Sequence, residues 1–162
     1  MIDLSNRKAI EILLVEDNPG DARLTAELLR DSGISIKINH VRDGVQALAL
    51  LRHEGAYRNA PQMELLLLDL NLPRVDGREM LAQIKRDPKL RTIPVVVLTG
   101  SHDEVGLRKS LAQADSFMVK PVDTEKLVAI LASLQRAMSN RVPPGWPANY
   151  IRPGIRSSAF RN

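Results

Sequence analysis

Four consecutive leucines stand directly before an aspartate at residues 65–69, and this stretch constrains the fold more than any other. A short continuous apolar run bounded by turn residues is typical of a strand buried on both faces of a parallel sheet. Pro73 and Gly77 follow closely, so Asp69 is predicted to end the strand. Open parallel α/β sheets bind their ligands at the carboxyl ends of the strands. Asp69 is therefore a candidate functional residue, although a helix cap or a loop carboxylate bonded to the backbone would also explain it.

Four other segments have the composition of strands, and helical patterns alternate with them. These strands are predicted over 11–16, 36–41, 95–98 and 116–119. The helices are predicted from apolar residues at helical spacing: Leu24, Leu28 and Leu29 before Gly33; Val45, Leu48 and Leu51; Met80, Leu81 and Ile84; a short, weakly patterned helix over 104–113; and Leu127, Ile130, Leu131 and Leu134 after Asp123. Five strand–helix units with short connections predict a three-layer, doubly wound α/β fold, with helices on both faces of a parallel sheet.

The charge of the chain is unevenly distributed. The formal net charge is +4, but residues 138–162 contain four arginines and no acid, which leaves 19 basic and 19 acidic residues before them. A neutral body argues against a large nucleic-acid interface. We therefore expect a leader (1–8), one globular domain (9–137) and a proline- and arginine-containing extension (138–162). The lack of cysteine, of a signal-peptide pattern and of a long apolar run favours a cytoplasmic protein that does not span a membrane.

The predicted strands end on residues with complementary chemistry. Glu16 and Asp17 end the first, Asp69 the third, Thr99 the fourth and Lys120 the fifth. The carboxyl ends of parallel strands lie along one edge, so these side chains are predicted to converge. Three carboxylates in a poorly solvated cleft repel one another, and one of them should hold a proton unless a cation is bound. Mg²⁺ suits such a site, because it prefers carboxylate and carbonyl oxygens together with retained water.

A carboxylate in this position can also act as a nucleophile and form an acyl phosphate. Phosphoryl transfer depends chiefly on positioning and on positive charge at the transferred oxygens, which Mg²⁺ and the Lys120 ammonium would supply. The Thr99 hydroxyl can donate to the same oxygens. Simpler explanations exist for each residue alone, as a helix cap, a turn residue or a solvated lysine. Their joint occurrence at four strand ends favours a functional site.

Four motifs together resemble the receiver domain of two-component response regulators, over residues 9–137. They are Val-Glu-Asp-Asn-Pro at 15–19, Leu-Asp-Leu-Asn-Leu-Pro at 68–73 followed by Asp76-Gly77, Val-Leu-Thr at 97–99 and Val-Lys-Pro at 119–121. The resemblance implies a flavodoxin-like sheet with strand order 2-1-3-4-5. It also implies these roles: Asp69 as phosphoryl acceptor; Glu16, Asp17, Asp69 and the backbone carbonyl of Asn71 as Mg²⁺ ligands; Thr99 and Lys120 as the family's hydroxyl and lysine; Phe117 as its aromatic switch; and a cis bond between Lys120 and Pro121.

The chain departs from the family pattern in one segment. Residues 99–120 form a stretch one residue shorter than usual, and it lacks the glycine commonly found where Gln113 and Ala114 stand. The helix predicted over 104–113 is therefore expected to differ in geometry from the usual receiver pattern.

A closer resemblance is to single-domain regulators that pair with bacterial phytochromes. It is carried by Asp-Asn-Pro-Gly-Asp at 17–21, the loop around Gly55-Ala-Tyr57, and 71–74 with 76–78. It implies a phytochrome-type sensor histidine kinase as partner and an output through protein contacts. We also expect a homodimer, with Trp146 and Tyr150 of the extension as candidate anchors. Contacts with DNA or membranes are not expected.

Other functional classes explain part of the pattern. Mg²⁺-dependent phosphatases that form an aspartyl-phosphate need a second acid two residues after the nucleophile, where this chain has Asn71. We therefore expect no enzymatic turnover. A constitutive binding module that keeps only the receiver fold is a further alternative. A transcription factor is a weaker one, because the basic extension contains no recognition helix.

Overall fold

The computed structural model of the protein describes residues 8–100 and 113–139. The strands are β1 (Ile10–Val15), β2 (Ile36–Val41), β3 (Leu65–Asp69), β4 (Val95–Thr99) and β5 (Ser116–Val119). The helices are α1 (Pro19–Arg30), α2 (Gly44–Leu51), α3 (Gly77–Arg86) and α4 (Thr124–Ser139), with a short 3₁₀ helix at Gly55–Tyr57. The helix predicted over 104–113, apart from its last residue, lies outside the described residues, as do nearly all of the leader and of the extension with Trp146 and Tyr150.

All five strands are parallel and lie in the order β2-β1-β3-β4-β5, which confirms the predicted α/β fold and strand order. The register aligns their carboxyl ends: Val15 pairs with Leu68, Asp69 pairs with Leu98, and Thr99 pairs with Val119. The residues that follow β1 and β5 therefore lie on the same edge as the last residues of β3 and β4.

The sheet separates two apolar clusters. On one face, α2 and α3 pack with side chains such as Leu48 and Leu81 against Leu13 and Leu66. On the other face, α1 and α4 pack with side chains such as Leu29 and Ile130 against Leu14. All residues of β1, β3 and β4 are buried, as expected for central strands of a parallel sheet.

The prediction for α1 was wrong for Leu24 and for the helix end, whereas Leu29 is buried and Leu28 packs against the same apolar cluster, as predicted. Leu24 is 46% exposed, whereas the buried positions of α1 are Ala22, Thr25 and Leu29. The helix ends at Arg30, and Gly33 lies beyond it with a φ of 75°. Val45 of α2 is likewise 45% exposed.

The predicted cis peptide bond between Lys120 and Pro121 is present. No helix within the described ranges has the length and apolar character that a membrane crossing needs.

Candidate functional site

The carboxylates of Glu16, Asp17 and Asp69 converge at the carboxyl edge of the sheet. Each offers one oxygen, and these oxygens all lie within 4.8 Å of one another. Glu16 and Asp69 are buried, whereas Asp17 is exposed to solvent. Three hard oxygen donors at this spacing, with one side open to water, fit a divalent cation that keeps part of its hydration shell.

Lys120 lies within hydrogen-bonding distance of three carboxylates. Its Nζ atom is 2.6 Å from Glu16 Oε2, 3.0 Å from Asp21 Oδ2 and 3.1 Å from Asp69 Oδ2. Burial lowers the pKa of the Lys120 ammonium, but the hydrogen bonds to Glu16 and Asp21 and the charge of Asp69 outweigh burial and raise this pKa above its ordinary value. Lys120 therefore carries a positive charge in the cleft at any physiological pH.

Glu16 is the most deeply buried acid of the cluster. Its side chain accepts a hydrogen bond from the Asn18 N–H at 3.2 Å, and its backbone carbonyl lies 2.8 Å from His40 Nε2. Burial raises the pKa of the Glu16 carboxyl to about 7, the nearby Asp69 adds to the rise, and the hydrogen bond from Lys120 opposes it. The raised pKa agrees with the expectation that one carboxylate holds a proton when no cation is bound.

Asp69 is held from two directions. Its Oδ1 accepts the Asn71 N–H at 3.0 Å, and its Oδ2 faces Lys120. Gly77, the first residue of α3, lies directly beside this strand end: its N–H donates to the Leu70 carbonyl, and a Cβ at this position would lie 2.6 Å from the Asp69 carbonyl oxygen. The absence of a side chain at residue 77 thus lets α3 start against the backbone that carries Asp69.

The other predicted site residues surround this cluster. Thr99 is buried at the end of β4, and its carbonyl accepts the Lys120 N–H at 2.8 Å. Asn71 is exposed two residues after Asp69. Phe117 is half-buried in β5 and precedes Lys120 in the chain by one intervening pair of residues, Met118 and Val119. It packs against the apolar cluster on the α2–α3 face of the sheet. The structure therefore places Glu16, Asp17, Asp69 and Lys120 together, with Thr99 and Asn71 next to them on the same edge.

Asp21 was missed as a site residue. It lies in the first turn of α1, and its N–H donates to the side chain of Asn18, the N-cap residue. An acid in the first helical turn is ordinarily explained by the helix dipole, so its sequence position alone does not indicate a role. Its place in the 17–21 motif was the only available signal.

This fold and this cluster define a receiver domain, and the chain belongs to the response regulator receiver domain family, whose model matches residues 12–132. The chain is 53% identical over 104 residues to Response regulator Rcp1 of Synechocystis sp., covering 64% of this chain and 70% of that protein. It is 48% identical over 118 residues to the probable methanogenesis regulatory protein FilR2 of Methanothrix harundinacea, covering 72% of this chain and 75% of that protein.

Solved structures agree with this assignment. The phosphorylated cyanobacterial phytochrome response regulator RcpA superposes with a TM-score of 0.69 at 41% identity, over 83% of this chain and 96% of that one. The Mn²⁺-bound form of Rcp1 gives a TM-score of 0.67 at 39% identity, over 90% of this chain and 99% of that one.

Proposed function

We propose that this response regulator accepts a phosphoryl group on Asp69 from the phosphohistidine of a sensor histidine kinase. An Asp69 carboxylate oxygen attacks the phosphorus and the P–N bond to the histidine breaks. The electron pair of that bond returns to the imidazole nitrogen. One observation carries this proposal: the buried Asp69 carboxylate lies beside Lys120 and close to the acidic pair Glu16 and Asp17 at one edge of the sheet.

In this proposal Glu16, Asp17, Asp69 and the Asn71 carbonyl would hold Mg²⁺, which would supply positive charge to the phosphoryl oxygens. Lys120 places its ammonium beside Asp69, at 3.1 Å, where a second positive charge offsets the charge of the transferred group. The Thr99 hydroxyl, at the end of the neighbouring strand, donates to the phosphoryl group. The Mn²⁺-bound structure of Rcp1 supports a divalent cation in such a site.

The output in this proposal is a change in protein contacts. Thr99 moves towards the phosphoryl group, Phe117 moves inward, and the surface next to β5 and α4 changes. The receiver domain spans 9–137 and is followed by the extension 138–162. Asn71 stands where a phosphatase needs its second acid, so the acyl phosphate is a signalling state and not an intermediate of rapid turnover.

A phytochrome-type kinase is the proposed phosphodonor, in the cytoplasm. Similarity to RcpA, a cyanobacterial phytochrome response regulator, supports this choice. FilR2, at 48% identity, is a probable methanogenesis regulatory protein, so kinase specificity is the part of the proposal that needs its own test. Phosphotransfer rates to this chain from a red-light-regulated histidine kinase and from an unrelated one test this specificity. The proposal expects faster transfer from the red-light-regulated kinase.

We further propose a homodimer held through the extension or the last helix, without direct DNA or membrane contacts. Size measurement by light scattering on the full chain and on a chain cut after Ala137 tests this arrangement. The full chain is expected to be a dimer, and the shortened chain a monomer if the extension holds the interface. A dimer that persists after the cut would remove the extension from the interface.

Intact-mass measurement after incubation with acetyl phosphate and Mg²⁺ tests the central proposal. The wild-type chain should gain one phosphoryl group. Asp69→Asn, or wild type with EDTA, should gain none. Asp31→Asn is the matched control, because Asp31 is an exposed aspartate at the end of α1 that takes no part in the cluster. An adduct of equal yield on Asp69→Asn would show that another residue is modified and would refute the assignment.

A further inference from the structure

The contact between Asp21 and Lys120 has no place in the metal site or in the acceptor role of Asp69. Asp21 Oδ2 lies 3.0 Å from Lys120 Nζ, but its carboxylate is not part of the group of acids whose oxygens lie within 4.8 Å of one another. The side chain of Asp21 is 44% exposed, whereas that of Lys120 is 18% exposed. Asp21 thus lies at the mouth of the cleft, on the solvent side of the lysine.

The backbone fixes the position of this carboxylate. Asp21 follows the N-cap residue of α1 by three positions, and its N–H donates to Asn18 Oδ1 at 3.0 Å. Asn18 in turn donates its own N–H to Glu16 Oε1 at 3.2 Å. The first turn of α1 is therefore hydrogen-bonded to the acidic pair, and Asp21 faces Lys120 from this turn.

If a divalent cation were held by Glu16, Asp17 and Asp69, the three contacts of Lys120 would be affected unequally. Glu16 and Asp69 would share their negative charge with the cation, which weakens their attraction for the ammonium group. The Asp21 carboxylate lies outside this group of acids and would not share a metal ion with them. Its charge-assisted hydrogen bond to Lys120 at 3.0 Å would therefore persist when the cation is bound.

We propose that Asp21 is a positioning residue, which keeps the Lys120 ammonium beside the Asp69 carboxylate while the metal is bound. This inference rests on the proposed phosphoryl acceptance by Asp69. Asp21 itself does not touch the transferred group. It acts by restricting where Lys120 can place its charge when the phosphoryl group arrives.

Other roles for Asp21 lead to opposite outcomes. If the carboxylate only repelled anionic phosphodonors from the cleft, its neutralisation would speed up phosphorylation, because one negative charge would be removed from the entrance. If the pair only stabilised the fold, neutralisation would lower the melting temperature and leave the rate unchanged. A positioning residue predicts a slower reaction despite the more favourable electrostatics.

The test compares Asp21→Asn, Asp21→Glu and Glu27→Gln in the full chain. Glu27→Gln removes the same charge from an exposed acid of the same helix, where the Glu27 carboxylate pairs with Arg23 at 3.0 Å. The rate of adduct formation with acetyl phosphate and Mg²⁺ is followed by intact mass. Asp21→Asn is expected to react about five- to tenfold more slowly, since its amide oxygen can still accept from Lys120 but the ion pair loses its negative charge, and the weakening corresponds to roughly this factor. Asp21→Glu should recover part of the rate, and Glu27→Gln should react at the wild-type rate or slightly faster.

The ammonium resonance of Lys120, observed by ¹⁵N-labelled NMR with Mg²⁺ and no phosphodonor, gives a readout that does not depend on the reaction. It should shift in Asp21→Asn and not in Glu27→Gln, while Mg²⁺ affinity stays the same in both. An equal or faster reaction of Asp21→Asn, an equal slowing of Glu27→Gln, or an unshifted Lys120 resonance would overturn the positioning role. A wild-type chain that forms no adduct would instead refute acceptance by Asp69, and with it this inference.

Discussion

Gly77 shows how a single residue determines where Asp69, the proposed phosphoryl acceptor, lies. A Cβ at this position would lie 2.6 Å from both the Asp69 carbonyl oxygen and Leu70 Cα. Both are backbone atoms, so no side chain can rotate away to make room. Either α3 or the end of β3 would have to move.

Replacement of Gly77 by alanine should therefore destabilise the fold and disturb the site together. We expect a loss of about 2–3 kcal/mol in the free energy of unfolding, as is usual for overpacking against a fixed backbone, and a lower yield of the Asp69 adduct. Urea unfolding and intact mass measure the two effects.

Gly100→Ala is the matched control, because no residue in the described part of the chain lies within 4 Å of a Cβ there. Equal stability of the two variants would contradict the close approach.

The sequence was sufficient to bring Asp69, Glu16 and Lys120 to one edge, because strand direction alone decides where a strand's last residue lies. It was not sufficient to identify Asp21. That contact depends on where the first turn of α1 faces and on the conformation of the long Lys120 side chain, and neither follows from periodicity. The sequence predicted that one of the three carboxylates holds a proton when no cation is bound. The assignment of the raised pKa to Glu16 required its burial, which only the structure gives.

Among the secondary-structure elements, β5 and α4 are joined by Lys126 at the aromatic residue proposed as a switch. Lys126 Nζ donates to the Phe117 carbonyl oxygen at 2.8 Å and lies 5.2 Å from the centroid of the Phe117 ring. Burial lowers the pKa of the Lys126 ammonium, and the charge of Asp123 partly opposes this effect. One side chain of α4 thus holds both the backbone and the ring of Phe117.

Substitution Lys126→Met keeps much of the apolar stem and removes both contacts. It should lower the free energy of unfolding by about 1 kcal/mol, the net value of one hydrogen bond with a cation–π contact. It should also shift the ring resonances of Phe117 in NMR spectra. Lys89→Met, at an exposed position in the described part of the chain, is the control and should change neither. Unshifted Phe117 resonances in Lys126→Met would show that the contact does not hold the ring.

Element prediction succeeded where packing and pattern agree, and failed where small residues form the interface. In α3 and α4 the large apolar residues are the buried ones, for example Met80 and Leu127. In α1 the face towards the sheet contains Ala22 and Thr25 beside the correctly predicted Leu29, so the periodicity of the leucines also pointed to Leu24, which is exposed. Leucine spacing alone cannot show that a helix packs closely through small side chains.

At the scale of the whole molecule, stability and function make opposite demands on one edge of the sheet. Two apolar clusters stabilise the central strands, while the ends of those strands gather acids that repel each other. Part of this repulsion is relieved when Glu16 is protonated, and the rest is offset by Lys120. Because the pKa of Glu16 is raised to about 7, the folded state binds more protons than the unfolded state between pH 4.5 and about 7. The contribution of Glu16 to stability therefore falls as the pH rises through this range.

This linkage predicts how pH and metal act on the unfolding of the whole chain. In EDTA, wild type should lose on the order of 1–2 kcal/mol of stability relative to Glu16→Gln between pH 5.5 and pH 8, since glutamine does not titrate. With saturating Mg²⁺ this relative loss should shrink or reverse in wild type, because the cation binds the deprotonated carboxylate and stabilises only the folded state. Urea unfolding measures the free energy of unfolding at both pH values, each in EDTA and in Mg²⁺. Glu79→Gln, at an exposed acid of α3, controls for the change of charge. A pH dependence in EDTA that is the same for wild type and Glu16→Gln would show that Glu16 is not the group that holds the proton. An Mg²⁺ effect that survives intact in Glu16→Gln would place the cation elsewhere.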